Sequence, residues 1–196
     1  MNPYRTKLKA LPPGPFRRVV KKSKNILLGV SSSAACGKAL TLASALVKKG
    51  HAVKTVLTPS AARLISPQLF SALTKNDAFS EQFSADGVFR EGHIALSEWA
   101  DIYLIAPATA NTIGKLAAGI CDNLLLTLAV SRRAPLFIAP AMESMMWKNR
   151  NVRENVSRLK KGGIKIIGPV SGRLASGSSG PGRMSEPEDI IKKLAL

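Results

Sequence analysis

The chain has 196 residues, 45% hydrophobic and 21% charged, with 29 basic against 12 acidic side chains and a formal net charge of +17. That is the size of one domain with an extension, and the composition excludes collagen, coiled coil and wholesale disorder. Two cysteines are too few for a disulfide scaffold, two histidines without a CxxC pair leave no structural zinc site, and no apolar run is long enough to span a bilayer.

The expectation is therefore a cytoplasmic domain with no bound metal and no transmembrane segment. The charge is uneven along it. Residues 1–24 hold eight basic and no acidic side chains, broken by Pro3, Pro12, Pro13 and Pro15, and read as a basic, flexible tail. Residues 25–196 form the domain proper, still basic and suited to an anionic small molecule. No basic helix with interleaved aromatics occurs, so no specific nucleic acid is expected.

In chain order, the apolar run 25–30 predicts a strand, and 34–49 a helix stopped by Gly50 with Lys48 and Lys49 in its last turn. Residues 52–57 read as a second strand, followed by a helix through Leu64. Residues 66–92 are mixed, with short helical pieces and a polar loop. A short helix over 93–100 leads into the strongest strand, 102–106 (IYLIA), and then a helix through Gly119. Residues 124–130 are helical, 135–139 a strand, 151–161 a helix, and 164–167 a fifth strand. Residues 172–182 are a glycine- and serine-rich loop, and 187–194 a closing helix. Apolar strands alternating with helices predict an α/β fold: a three-layer, Rossmann-like (flavodoxin-like) parallel sheet.

Ligands of such sheets sit beyond the carboxyl ends of the strands. Three of those ends carry hydroxyls: Ser31–Ser33, Thr58 with Ser60, and Thr109 with Thr112. Hydroxyls beside the free N–H groups of helix N-termini form an anion site. The dinucleotide, P-loop and hydrolase glycine signatures are all absent.

Six stretches then combine: 29–38 (GVSSSAACGK), 92–100 (GHIALSEWA), 106–112 (APATANT), 119–125 (GICDNLL), 140–147 (PAMESMMW) and 172–184 (GRLASGSSGPGRM). Together and in this order they resemble the flavin-containing cysteine decarboxylases, most of all the coenzyme A-pathway branch, over residues 25–190. The resemblance implies a flavoprotein fold carrying FMN, a homotrimer or multiple of trimers, and an active site shared across a subunit interface. It places Gly29, Ser31, Ser32, Thr58, Thr109, Asn111 and Thr112 at the FMN phosphate and ribityl chain. It makes His93 the acid–base residue and puts Asn123, Met142, Glu143, Met146 and Arg183 at the substrate.

The implied reaction is decarboxylation of a cysteinyl carboxylate: 4′-phosphopantothenoylcysteine to 4′-phosphopantetheine, or the C-terminal cysteine of a peptide in lantibiotic-type maturation. The alternative from another class is that the chain is a flavin-binding regulator without catalysis. Two residues depart from the family pattern. Ser176 stands where a loop cysteine supplies a proton, and a hydroxyl is a far weaker acid than a thiol. Glu143 stands where an asparagine meets the substrate carboxylate. Two like charges about 4 Å apart repel by roughly 4 kcal/mol at an effective dielectric of 20. Glu143 is therefore expected to be protonated, paired with Lys148 or Arg183, or turned away.

Overall fold

The computed structural model describes residues 23–81 and 92–196. The first half runs β1 (Asn25–Val30), α1 (Cys36–Lys48), β2 (Ala52–Leu57), α2 (Pro59–Ala62), α3 (Pro67–Thr74) and β3 (Ala78–Phe79). The second runs α4 (His93–Trp99), β4 (Ile102–Ala108), α5 (Ala110–Ala117), α6 (Leu124–Ser131), β5 (Leu136–Pro140), α7 (Ser144–Lys148) and α8 (Arg150–Lys161). It closes with β6 (Lys165–Ile166), β7 (Val170–Arg173), β8 (Ser179–Arg183) and α9 (Pro187–Lys193).

β1 and β4 are unbroken apolar runs because both of their faces are covered. Ile26, Leu28, Val30, Leu104 and Ala106 point into one core with α1, α3 and α9. Leu27, Tyr103 and Ile105, one residue out of phase, point into a second core with α4, α5, α6 and α8. The period-two alternation of side chains thus splits each strand between two cores. Each large side chain so buried contributes about 1.5–3 kcal/mol. The sheet is parallel throughout, in the order β3-β2-β1-β4-β5-β6. Its order reverses between β1 and β4, so the crevice at their carboxyl ends is the topological switch point.

Where the structure departs from the sequence reading, composition had hidden a strand or a short helix. Residues 172–182, expected as a loop, fold mostly into the antiparallel hairpin β7–β8. Glycine is a poor strand former, but here close contact demands it. A Cβ on Gly180 would lie 2.3 Å from Ser144 Oγ, and one on Gly182 2.3 Å from the Met142 carbonyl oxygen. α7 arises inside the 140–147 stretch. β4 continues two residues beyond its apolar core, to Ala108, while the last sheet strand shrinks to Lys165–Ile166.

Ser23 and Lys24, read as the end of the tail, are bonded to the turn before β2. Ser23 Oγ donates to the Gly50 carbonyl at 2.8 Å, and the Lys24 N–H donates to His51 Nδ1 at 3.2 Å. The rest of the tail, and part of the polar loop expected before residue 92, lie outside the described residues. Among the described residues no helix is long and apolar enough to cross a membrane.

Candidate functional site

The switch point is held together by one buried hydroxyl. Ser31, 1% exposed, follows β1 and donates through Oγ to the Pro107 carbonyl at 2.8 Å, while accepting from the Thr109 N–H at 3.0 Å. Thr109 in turn caps α5: its Oγ1 accepts from the Thr112 N–H at 3.3 Å and lies 3.1 Å from Thr112 Oγ1. Thr58, whose N–H bonds the Val30 carbonyl at 2.9 Å, caps α2 by accepting from the Ala61 N–H at 3.1 Å. The ends of β1, β2 and β4 thus converge on a cluster of hydroxyls beside helix N-termini, an arrangement that favours an anion.

Ser32 lines a groove there with Ser33, Ser60 and Arg63. Arg63 is a cation that no motif singled out; it becomes visible only once α2 is folded. Asn111 is exposed in the first turn of α5. Gly29 has a packing explanation: a Cβ there would sit 3.0 Å from Ile105 Cγ1, 3.1 Å from Leu125 Cδ1 and 3.2 Å from Tyr103 Oη. Tyr103 Oη donates to the Leu125 carbonyl at 2.8 Å, and its full burial pushes the phenol pKa far up.

A second feature opens on the α1 side of the sheet. A cavity of about 310 Å³ lies between the start of α1, residues 141–143 and the hairpin. Ser33, Lys38, Glu143, Arg173, Ser176 and Arg183 supply its polar lining. The hairpin is fixed over it by the Met142 N–H donating to the Gly182 carbonyl at 3.0 Å and by Ser144 Oγ donating to the Pro181 carbonyl at 2.8 Å. At its base Glu186 gathers two cations, Lys38 Nζ at 2.9 Å and the Arg183 guanidinium at 2.5 Å. The hydrogen bond from Lys38 is the main reason the Glu186 carboxyl lies below its ordinary range; Arg183 adds to it.

Two of the expectations for Glu143 are corrected here. It is not paired with Arg183, which faces Glu186, and its surroundings hold it ionised. Glu143 Oε2 caps α7, accepting from the Met145 N–H at 2.7 Å, and Oε1 accepts from Ser178 Oγ at 3.0 Å. The backbone N–H groups of Met145 and Ser144, then Ser178, hold its carboxyl below the usual range, with Lys148 a minor contributor. Ser176, in the hairpin turn, lies 2.9 Å from Ser178 Oγ.

The remaining site candidates sit in the opposite layer. His93 opens α4, and its Nδ1 is buried with no hydrogen-bond partner among the described residues. Asn123 caps α6, with Oδ1 accepting from the Leu126 N–H at 3.1 Å. α4 and α6 precede β4 and β5 and pack together in the layer of the second core. Neither residue lines the cavity that holds Ser176 and Glu143. Met146 is 47% exposed, whereas Met142 packs beside the second core and also lines the Ser176 cavity next to Glu143. No cluster of three or more metal-ligating side chains occurs among the described residues.

Fold and site together define a doubly wound α/β protein with a cluster of hydroxyls at its switch point and, in the second-core layer, a buried imidazole nitrogen unpartnered among the described residues. The Flavoprotein family model matches residues 17–195, and the chain belongs to that family. The bifunctional coenzyme A biosynthesis protein CoaBC of Bacillus subtilis (strain 168) is 43% identical over 170 residues, 87% of this chain. The chain spans only 42% of that relative's length.

Among solved structures, a PPC decarboxylase carrying a cysteine-to-serine substitution, in complex with pantothenoylaminoethenethiol, superposes with a TM-score of 0.78 at 33% identity. The match covers 89% of this chain and 98% of that one. The FMN binding protein AtHal3 superposes with a TM-score of 0.75 at 32% identity, covering 89% and 96%.

Proposed function

We propose that this chain is an FMN-dependent decarboxylase of a cysteinyl carboxylate, with 4′-phosphopantothenoylcysteine as its substrate and a trimer as its working unit. The observation that carries the reading is His93. A buried ring nitrogen without a partner is costly unless a ligand completes it, and among the described residues His93 Nδ1 has none. The names of the similar proteins supply the chemical class: coenzyme A biosynthesis, PPC decarboxylase and FMN binding.

The residues fit the cofactor. Ser32, Thr58, Thr109, Asn111 and Thr112 would hold its phosphate and ribityl chain, with Ser31 orienting the Thr109 turn from beneath. Bound FMN supplies the electron sink that loss of CO2 requires. His93 Nδ1 is the acceptor for a proton of the reacting cysteinyl group, a role that needs geometry first and a suitable base second. Lys38, Arg173 and Arg183, against the carboxylates of Glu143 and Glu186, leave the cavity with an excess of one positive charge for an anionic substrate. His93 and Asn123 lie in the layer opposite the Ser176 cavity, which supports a site completed by a second copy. Closed symmetric assemblies are the usual solution for such sharing.

The test is direct. Purified protein should release FMN, and not FAD, on denaturation, and should liberate CO2 from phosphopantothenoylcysteine. A protein that takes up no flavin on reconstitution contradicts the reading.

A further inference from the structure

We propose that Ser97 is a positioning residue: its buried hydroxyl fixes the rotation of α4 about its own axis and so aims the His93 imidazole. The inference rests on the decarboxylase reading and names what places its proton acceptor.

α4 is seven residues long, about two turns, and His93 is the first of them. The N-cap is Gly92, so no side chain holds that end. Among the described residues the polar ties of α4 to the rest of the fold lie towards its other end. The Trp99 carbonyl accepts from Asn25 Nδ2 at 3.0 Å, which anchors the helix at the start of β1. Ser97 Oγ donates to the Ser131 carbonyl at 3.1 Å, at the carboxyl end of α6. Glu98 adds an ion pair with Arg133 at 3.0 Å, exposed on both sides.

These ties restrain different motions. Asn25 holds one point at the end of the helix, a pivot about which α4 can still turn. Leu96 is fully buried in the second core, but apolar burial is non-directional. An exposed pair of long side chains follows a rotation at little cost. The Ser97 bond is directional and sheltered, with Ser97 only 6% exposed. It also lies on the face that matters, since residues four apart in a helix are neighbours and His93 is four before Ser97. A helical serine often turns its hydroxyl to the carbonyl four residues back; here the proton is spent across the helix pair instead. Its acceptor is one of the last carbonyls of α6, which have no partner within their own helix. α6 begins at Asn123, so this one bond registers the helix opened by His93 against the helix opened by Asn123.

The lever is short but sufficient. A turn of about 10° carries a side chain at the ~5–6 Å radius of a helix surface through about 1 Å. A misplacement of about 1 Å in a reacting group can cost ~10²-fold in rate.

The experiment uses the flavin-loaded full chain and follows CO2 release from phosphopantothenoylcysteine, with FMN affinity read by fluorescence. Ser97→Ala should lower kcat about 10- to 10²-fold, with KM and FMN affinity at their wild-type values. Glu98→Gln, at the same junction, should leave kcat unchanged. The double variant separates aiming from general damage. Because Ser97 acts through His93, Ser97→Ala in a His93→Asn background should cost nothing further, whereas independent effects would add.

An unchanged kcat in Ser97→Ala overturns the proposal. So does loss of FMN affinity along with kcat, a full additional loss in the double variant, or an equal fall in Glu98→Gln. Absence of CO2 from wild type rejects the decarboxylase reading itself, and the proposal falls with it.

Discussion

Replacing Ser31 by alanine removes the hydroxyl that ties the end of β1 to the end of β4. The Pro107 carbonyl keeps a partner, since the Ser31 backbone N–H also reaches it at 3.1 Å. The Thr109 N–H does not, because the Ser31 oxygen at 3.0 Å is its acceptor. One net hydrogen bond and one stranded amide together cost about 2 kcal/mol. For a domain of this size that corresponds to a fall in Tm of roughly 4–8 °C. Calorimetry of the flavin-free protein reads this without interference from the ligand.

The same change loosens the Thr109 turn, so FMN titrated by fluorescence quenching should bind about tenfold more weakly, equivalent to ~1.4 kcal/mol. A Tm within about 1 °C of wild type, against the shift expected for a lost buried bond, refutes the reasoning. It would mean that the Thr109 N–H finds another acceptor and that Ser31 does not organise the switch point.

Gly29→Ala should destabilise by about 1–3 kcal/mol through overpacking against Ile105, Leu125 and Tyr103. Thermal melts of the flavin-free protein should show the loss, since its cause lies in the core. Glu186 has a folded pKa below its unfolded one, so its contribution is present above the unfolded value and is lost as pH falls through the folded value. Stability should therefore drop on acidification below about pH 4.3, and Glu186→Gln should flatten that slope at a cost under about 1 kcal/mol near neutrality. His93→Asn should retain FMN yet slow CO2 release by about 10²–10⁴-fold; near-normal turnover would return His93 to a structural role. Light scattering of the flavin-bound protein should give a trimer or a multiple of it, and a flavin-bound monomer would contradict the shared site.

Much of the fold was legible because the sheet is buried on both faces. Runs such as 25–30 and 102–106 can be little else once strands and helices alternate, and the parallel order follows from the helical crossovers. The hairpin was not legible, since Gly172, Gly180 and Gly182 carry loop composition for reasons of close contact with Arg183, Ser144 and Met142. α7 was missed because it is a single turn, and with it the capping role of Glu143.

The hydroxyl residues at the strand ends could be picked out from residue type alone, but their internal bonding could not. Ser31 looked like a ligand group and turns out to be buried and bonded to the Pro107–Thr109 turn. His93 was marked by the family motif, whereas the burial of its Nδ1 depends on how the helix it opens packs, which no local pattern records.

The central claim is that CO2 leaves a cysteinyl carboxylate at a flavin held by this chain. The most direct measurement follows labelled CO2 from carboxyl-labelled phosphopantothenoylcysteine in a single anaerobic turnover, while the visible spectrum of bound FMN is recorded. The account predicts labelled CO2 in step with loss of the oxidised flavin band, and none from flavin-free protein. FMN-loaded protein that releases no CO2 and keeps its oxidised spectrum in the presence of that substrate would contradict it.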